Sequence, residues 1–227
     1  MPEWWTYSLT DFLLFSPRTY YRLIERHNLA VWPGHLVALA LGVTTAALLQ
    51  RPTRGRSRVI AGMLALLWMW IGGIFVAGRY ATINWAASYF AGLFAAEVRL
   101  LGWLGVAKAN LRFGWRWDAA GLLGAVLFTG SVGLYPLLAP ALGRGWTQSE
   151  VFGIAPDPTV LGTLGLLLMA DGSPRSGWAL LAPPMIWCLL SGATLWAMGS
   201  PEKWIVLPAA VVAPTIFAVT RYSGNRP

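Results

Sequence analysis

Seven stretches of mainly apolar residues, most of them about twenty long, follow one another through this chain with short polar breaks between them. A bilayer's hydrocarbon core is about 30 Å thick and a helix rises about 1.5 Å per residue, so a run of about twenty apolar residues matches one crossing. Lipid offers no partner for a backbone amide, so such runs read as helices, which satisfy their own hydrogen bonds. The runs cover 29–50, 59–77, 79–102, 119–138, 159–170, 178–199 and 204–220. The expected fold class is therefore all-α: a polytopic helical membrane protein of about seven transmembrane helices. The run at 159–170 is the weakest match, because its rise is only about 18 Å. It either draws on 151–158 to complete a crossing or forms a re-entrant half-helix.

Composition supports the same class. Of 227 residues, 11% are charged and 56% hydrophobic, whereas soluble domains carry about 25% charged residues. Many of the fourteen tryptophans lie near the ends of the apolar runs, as interfacial belts do. The net charge of +8 is scattered among the spans, so no nucleic-acid partner is expected; membrane lipids are. Residues 1–28 read as an interfacial amphipathic arm, 29–220 as one transmembrane domain and 221–227 as a short basic tail.

The arm lacks the order of a cleaved signal peptide. Ser8 with Asp11 resembles a capping box, and Ser16-Pro17 is a second helix start with Pro at the first helical position. Arg18, Arg22 and Arg26 recur every four residues and share a face, with Glu25 beside them. Orientation follows from loop charge. The loops at 51–58, 108–118 and 171–177 together with the tail hold ten Lys/Arg, against six on the other side. The positive-inside rule places the first set in the cytoplasm, with the N-terminus outside.

The third run holds the residues that an apolar span explains least: Arg79 and Asn84 near one end, Glu97 and Arg99 further in. At about 100° per residue, Asn84, Ser88, Ala91, Ala95 and Gly102 share a stripe with Arg99 beside it. Small residues let backbones approach, so this stripe is expected to face other helices of the same chain. Glu97 falls roughly opposite, among Phe90, Leu93, Leu101 and Leu104. It reads either as a carboxyl in a cavity, proton relay or partner contact, or as an interfacial residue beyond a span ending near Ala96.

Elsewhere the chemistry is sparse. The sequence contains no HExxH, GxSxG, Walker A or strand-linked glycine fingerprint. Of its two histidines, His27 and His35, the latter reads as a buried, hydrogen-bonded imidazole in preference to a pigment or metal ligand, Cys188 reads as core packing, and Lys203 sits too near a span entrance for a Schiff base. No catalytic residue, metal site or cofactor is expected. The loop EVFGIAPDP carries Glu150 and Asp157. Asp157 before Pro158 reads as the N-cap of the fifth helix, whose positive dipole end would then face outward.

Five segments add a resemblance: EWWTYSLTDFLLFSPRTYYRL, RYATINWAASYF, LYPLLAP, EVFGIAPDPTVLGTLGLLL and WCLLSGATLWAMG. Together they resemble an uncharacterised family of bacterial integral membrane proteins, domain of unknown function 6064. The resemblance implies a helical protein of the bacterial inner membrane. It brings no activity, cofactor or site residue.

The expected role is a non-enzymatic accessory or scaffold subunit with a membrane protein partner or a second copy. The alternative is a small-solute transporter or channel with a polar site near Glu97 or the outer loop. An enzyme is the least favoured class, with Asp11, Glu25, Glu150 and Asp157 as its best carboxylates. The candidate functional residues are Glu97, Arg99, Asn84, Arg79, Asp157 and Glu150. The arm is expected to fold over the mouths of the first, third and fifth spans, lidding a shallow pocket near Asn84 and Asp157; the alternative is an arm on lipid away from the bundle.

Overall fold

The computed structural model describes residues 13–222, so the Ser8–Asp11 start lies outside the described residues. Ser16 caps the first helix as its Ser-Pro pair predicts: its Oγ accepts from Thr19 N at 3.2 Å, and Pro17 occupies the first turn. Helix α1 spans Pro17–Val31 and so absorbs the start of the expected first span. The chain breaks at Trp32–Pro33, whose peptide bond is cis, and α2 (Gly34–Leu49) leaves at 88° to α1. Thr53 caps α3 (Arg54–Trp70), which runs on through a π-helical segment, Ile71–Ala77. α4 (Ala87–Leu100) continues as a π segment at Leu101–Ala107, and α5 (Ala119–Thr129) as one at Gly130–Leu134. Each π segment holds two glycines. A short α6 (Leu138–Ala141) ends the α5 rod. Then come α7 (Pro156–Leu168), α8 (Pro174–Ala197) and α9 (Lys203–Tyr222).

The all-α class holds, but the count of seven crossing helices is corrected. Among the described residues five helices are long and apolar enough to cross a membrane: Arg54–Thr82, Ala87–Ala107, Ala119–Ala141, Pro174–Ala197 and Lys203–Arg221. The number is six if the bent pair α1–α2 forms one broken span. α2, of 16 residues, and α7, of 13, are too short singly. The reason α7 tolerates its length is visible in its surroundings. Every one of its residues is buried, and it packs against α5, α8 and α9. Its ends meet protein in place of lipid, so hydrocarbon thickness does not set its length.

α7 joins the two ends of the bundle. It starts beside the arm, where Ile154 O accepts from His27 Nε2 at 3.3 Å. It finishes at Ala170–Asp171, which pairs antiparallel with Arg112–Phe113 beyond the far end of α4. That far end is tied by polar contacts. Arg116 reaches both Asp118 and Asp171 at 2.5 Å, Arg221 donates to Ala170 O, and Phe113 N donates to Ser57 Oγ at 3.0 Å. Along its length α7 meets α5 through glycine. A Cβ on Gly165 would lie 2.5 Å from Gly124 O, and a Cβ on Gly124 would lie 2.5 Å from Gly165 O. The two backbones are therefore in direct contact, the small-residue packing that membrane helices use. α3 is joined to α7 by Trp68 Nε1 donating to Thr163 Oγ1 at 2.9 Å.

α4 packs with the face opposite to the one expected. Ala87, Phe94, Glu97 and Leu101 are buried, whereas Ser88, Gly92, Ala95 and Arg99 are exposed. Phe94 explains the choice: its ring sits 4.6 Å from that of Trp68 and 5.0 Å from that of Trp187. Large rings give many dispersion contacts, and in a bilayer those contacts replace the hydrophobic effect as the packing force. The interfacial reading of Glu97 is also corrected, because the helix runs on to Ala107 and Glu97 has no exposed surface.

Candidate functional site

Polar side chains concentrate under the arm. Helix α1 lies across the bundle end and is pinned to the loop that precedes α7. Asn28 Nδ2 donates to Thr147 O and Ser149 O, both at 2.8 Å, while its Oδ1 accepts from His35 Nε2 at 3.1 Å. Gln148 Nε2 donates to Glu25 Oε2 at 3.2 Å. The loop itself turns at Gly153, whose φ of +81° suits glycine, and Gly153 N donates to Thr159 Oγ1 at 2.7 Å. Both histidines thus sit in hydrogen bonds; His35, expected to be buried as well, is half-buried.

Beneath this lid the side chains of Tyr20, Tyr80, Tyr135, Glu150, Asp157 and Glu202 are all buried. Arg144 is the cation among them. It pairs with Glu202 and lies 4.0 Å above the ring of Tyr21. Tyr21 OH donates to Ser200 Oγ at 2.9 Å, and Ser200 Oγ donates to Glu202. Burial drives the Glu150 carboxyl well above the usual carboxylate range, and the negative charges of Asp157 and Glu202 push the same way against Arg144. The shift favours the protonated carboxyl, which can donate a hydrogen bond as well as accept one.

Four buried atoms of this cluster have no hydrogen-bond partner: Glu150 Oε2, Tyr135 OH, Ser149 Oγ and Arg144 Nη1. An unsatisfied buried polar group costs about 1–3 kcal/mol, so the cluster is polar beyond what holding the helices together requires. The enclosed space next to it, bounded by Tyr20, Tyr80, Trp187 and Ser191, measures about 10 Å³. That is room for about one water. The lid covers a filled cluster, not an open pocket.

The sequence-derived candidates fall in three places. Glu150 and Asp157 join the cluster, and Asn84 borders it, its Nδ2 donating to Tyr80 OH at 3.1 Å and its Oδ1 accepting from Ala86 N. The expected N-cap role of Asp157 is corrected. α7 starts two residues earlier, with Ala155 at the N-cap. Pro156 and Pro158 fix the first turn, which frees the Asp157 carboxylate to reach α8, accepting from Trp187 Nε1 at 2.8 Å and Ser191 Oγ at 2.7 Å. It is 1% exposed, so it does not face outward. Arg79 lies on the outer side of α1, in a groove with Arg18, Arg22 and Arg26. Glu97 stands alone inside the bundle with neither oxygen hydrogen-bonded, and Arg99 is exposed on the opposite face.

Sequence reasoning sets Glu202 aside and misses the three tyrosines, whereas the loop beginning at Arg144 is expected near the arm. Glu202 is flagged only by Ser200-Pro201-Glu202 at a helix start, and nothing local marks Tyr20, Tyr80 or Tyr135 as neighbours. Among the described residues no three His, Cys, Asp or Glu side chains gather in a metal-binding arrangement.

One family matches the chain: the family of unknown function DUF6064, over residues 18–226. No curated protein and no solved structure matches.

Proposed function

Because the chain belongs to the DUF6064 family, which carries no assigned activity, we propose from its own surfaces that it is a non-enzymatic accessory or scaffold subunit of a membrane protein complex. The observation that carries this reading is the outer face of α4. Ser88, Gly92, Ala95 and Arg99 form an exposed stripe, and a Cβ on Gly92 would meet nothing within 4 Å. Small residues at this spacing suit the close approach of another helix. Arg99 lies about 12 Å of helix rise from Ala107 and pairs with no carboxylate among the described residues. A charge at that depth is stabilised by an acidic partner or by reaching the headgroups. The buried α7 supports the same reading, because it fills the bundle axis where a transporter would keep a path.

In this reading the protein sits in a bacterial inner membrane with the arm outside and the C-terminus in the cytoplasm, following the ten-to-six Lys/Arg asymmetry. Reporter fusions after Gly55 and at Pro227 test the orientation; an outward signal from either overturns it. Native mass spectrometry of gently extracted protein tests the role. A partner or second copy at fixed stoichiometry is expected, and Gly92→Leu should release it. A monomer carrying only lipid, in the wild type, sinks the proposal.

Glu97 favours the alternative, a small-solute transporter or channel. A fully buried carboxyl with neither oxygen bonded is the kind of group that carries protons in transporters. Solute flux in proteoliposomes that is lost in Glu97→Gln, with the fold intact, would select that alternative.

A further inference from the structure

We propose that the groove between the arm and the turn after α3 is a binding site for a phosphate-bearing anion. The groove encloses about 480 Å³ and is lined by Arg18, Arg22 and Arg26 on one side and Arg79 on the other, with Thr19 and Thr82 between them. That volume lies in the range of ligand pockets. The three arm arginines recur at i, i+4 and i+8, so the helix places like charges one above another, an arrangement that destabilises an isolated helix. Arg79 adds a fourth positive charge across the groove.

No carboxylate of the described chain neutralises them. The ion pairs of the described residues involve Arg116, Arg144 and Arg221 only. Glu25, the acid nearest in sequence, is held by Gln148 Nε2 on the far flank of α1. That flank forms a second cavity of about 400 Å³, but there the arm arginines share the space with Glu25. The Arg79 side lacks any acidic lining residue and is the better anion site. Arg79 Nε is itself buried without a hydrogen-bond partner.

Guanidinium groups present paired N–H donors that match two phosphate oxygens, and charge-assisted bonds of this kind are the strong ones. The threonine hydroxyls are already engaged, Thr82 Oγ1 donating to Arg79 O at 2.7 Å and Thr19 Oγ1 bonded to Ser16 Oγ at 2.9 Å, so the guanidinium groups carry the recognition. The position suits a phosphate as well. α1 turns 88° from α2, and exposed rings stand at its end (Trp32) and at the start of α4 (Trp85 and Tyr89). Aromatic side chains of this kind mark the headgroup layer, where a lipid phosphodiester and a soluble phosphate both have access. The site is independent of the α4 face and of whether a partner protein binds there.

The test is equilibrium binding to the full-length protein in mild neutral detergent, with two probes: a short-chain phosphatidylglycerol and inorganic phosphate. Short-chain phosphatidylcholine serves as the zwitterionic control. The triple variant Arg18→Gln/Arg22→Gln/Arg79→Gln is expected to weaken binding at least tenfold, while Arg54→Gln/Arg56→Gln/Arg58→Gln, equal in charge change at the other end, leaves it unchanged. The conservative Arg79→Lys, which keeps the charge and so the fold, is expected to weaken binding several-fold through loss of the paired donors. Binding of the lipid alone identifies a headgroup site, and competition by inorganic phosphate identifies a soluble anion. Equal losses in both triple variants, with Arg79→Lys unchanged, would reduce the effect to net charge and overturn the proposal. So would failure of both probes to bind the wild-type protein.

Discussion

Adding one methyl group at Gly165 tests the most unusual part of the architecture, the contact of α7 with α5. A Cβ there would sit 2.5 Å from Gly124 O, 2.7 Å from Phe128 N and 3.0 Å from Leu127 Cβ. Two of these atoms are backbone, so no side chain can rotate away and the helices must separate. Overpacking of this kind costs about 1–3 kcal/mol, and rigid neighbours put Gly165→Ala at the upper end. Alanine also gains up to about 1 kcal/mol over glycine in a helix interior. The net expectation is a loss of about 2 kcal/mol. For a chain of this size that corresponds to a drop of about 4–8 °C in Tm. Gly92→Ala is the control, since its Cβ meets nothing within 4 Å; there only the propensity gain remains, and Tm should hold or rise. Tryptophan-fluorescence melts of both variants in one detergent, with the wild type alongside, give the comparison. Equal melting of Gly165→Ala and Gly92→Ala would refute direct backbone contact between α5 and α7, and with it the reading of α7 as the packed axis of the bundle.

Asp157→Ala should destabilise by several kcal/mol, because it leaves Trp187 N–H and Ser191 O–H buried without an acceptor at about 1–3 kcal/mol each. Asp157→Asn keeps an acceptor and a group Ser191 can bond, so its melt should stay near that of the wild type; matching losses in the two variants would contradict the assignment. Glu150 ties stability to pH in the direction opposite to an ion-paired carboxylate. Its native pKa is raised by burial, so between the unfolded and folded values the native state holds a proton that the unfolded chain has released. Stability then falls as pH rises through that window. Glu150→Gln should gain on the wild type as pH rises above the ordinary glutamate range, and parallel melting curves would count against a carboxyl whose pKa burial has raised. At the other end Asp118 behaves conversely. The Arg116 hydrogen bond lowers its pKa and its Oδ1 caps α5 through Gly121 N at 2.9 Å. Its contribution is therefore full above the ordinary aspartate range and disappears as pH falls through the depressed value. Asp118→Ala should cost about 1–2 kcal/mol at neutral pH, measurable as earlier denaturation, and Asp118→Asn should recover most of the cap.

Local chemistry made part of this protein legible from its sequence. The apolar runs announced helices because lipid leaves a backbone no other solution, and Ser16-Pro17 marked the start of α1 because that pair supplies the cap and the missing amide together. Cys188 in the core follows from the same local argument. The tertiary structure decided what depends on partners far along the chain. On α4 the periodicity separated Glu97 from the small-residue stripe correctly, yet both faces are apolar enough for lipid, so hydropathy does not say which one turns inward; the rings of Phe94, Trp68 and Trp187 do. Asp157 looked like a cap because Asp before Pro usually is one, but α8 offered two donors, and the carboxylate turned to them. The cluster of Arg144, Glu150, Glu202, Tyr20, Tyr80 and Tyr135 draws on five separate connections and helices. Burial gave those groups each other as partners in place of water, and no pattern of spacing along the chain carries that information.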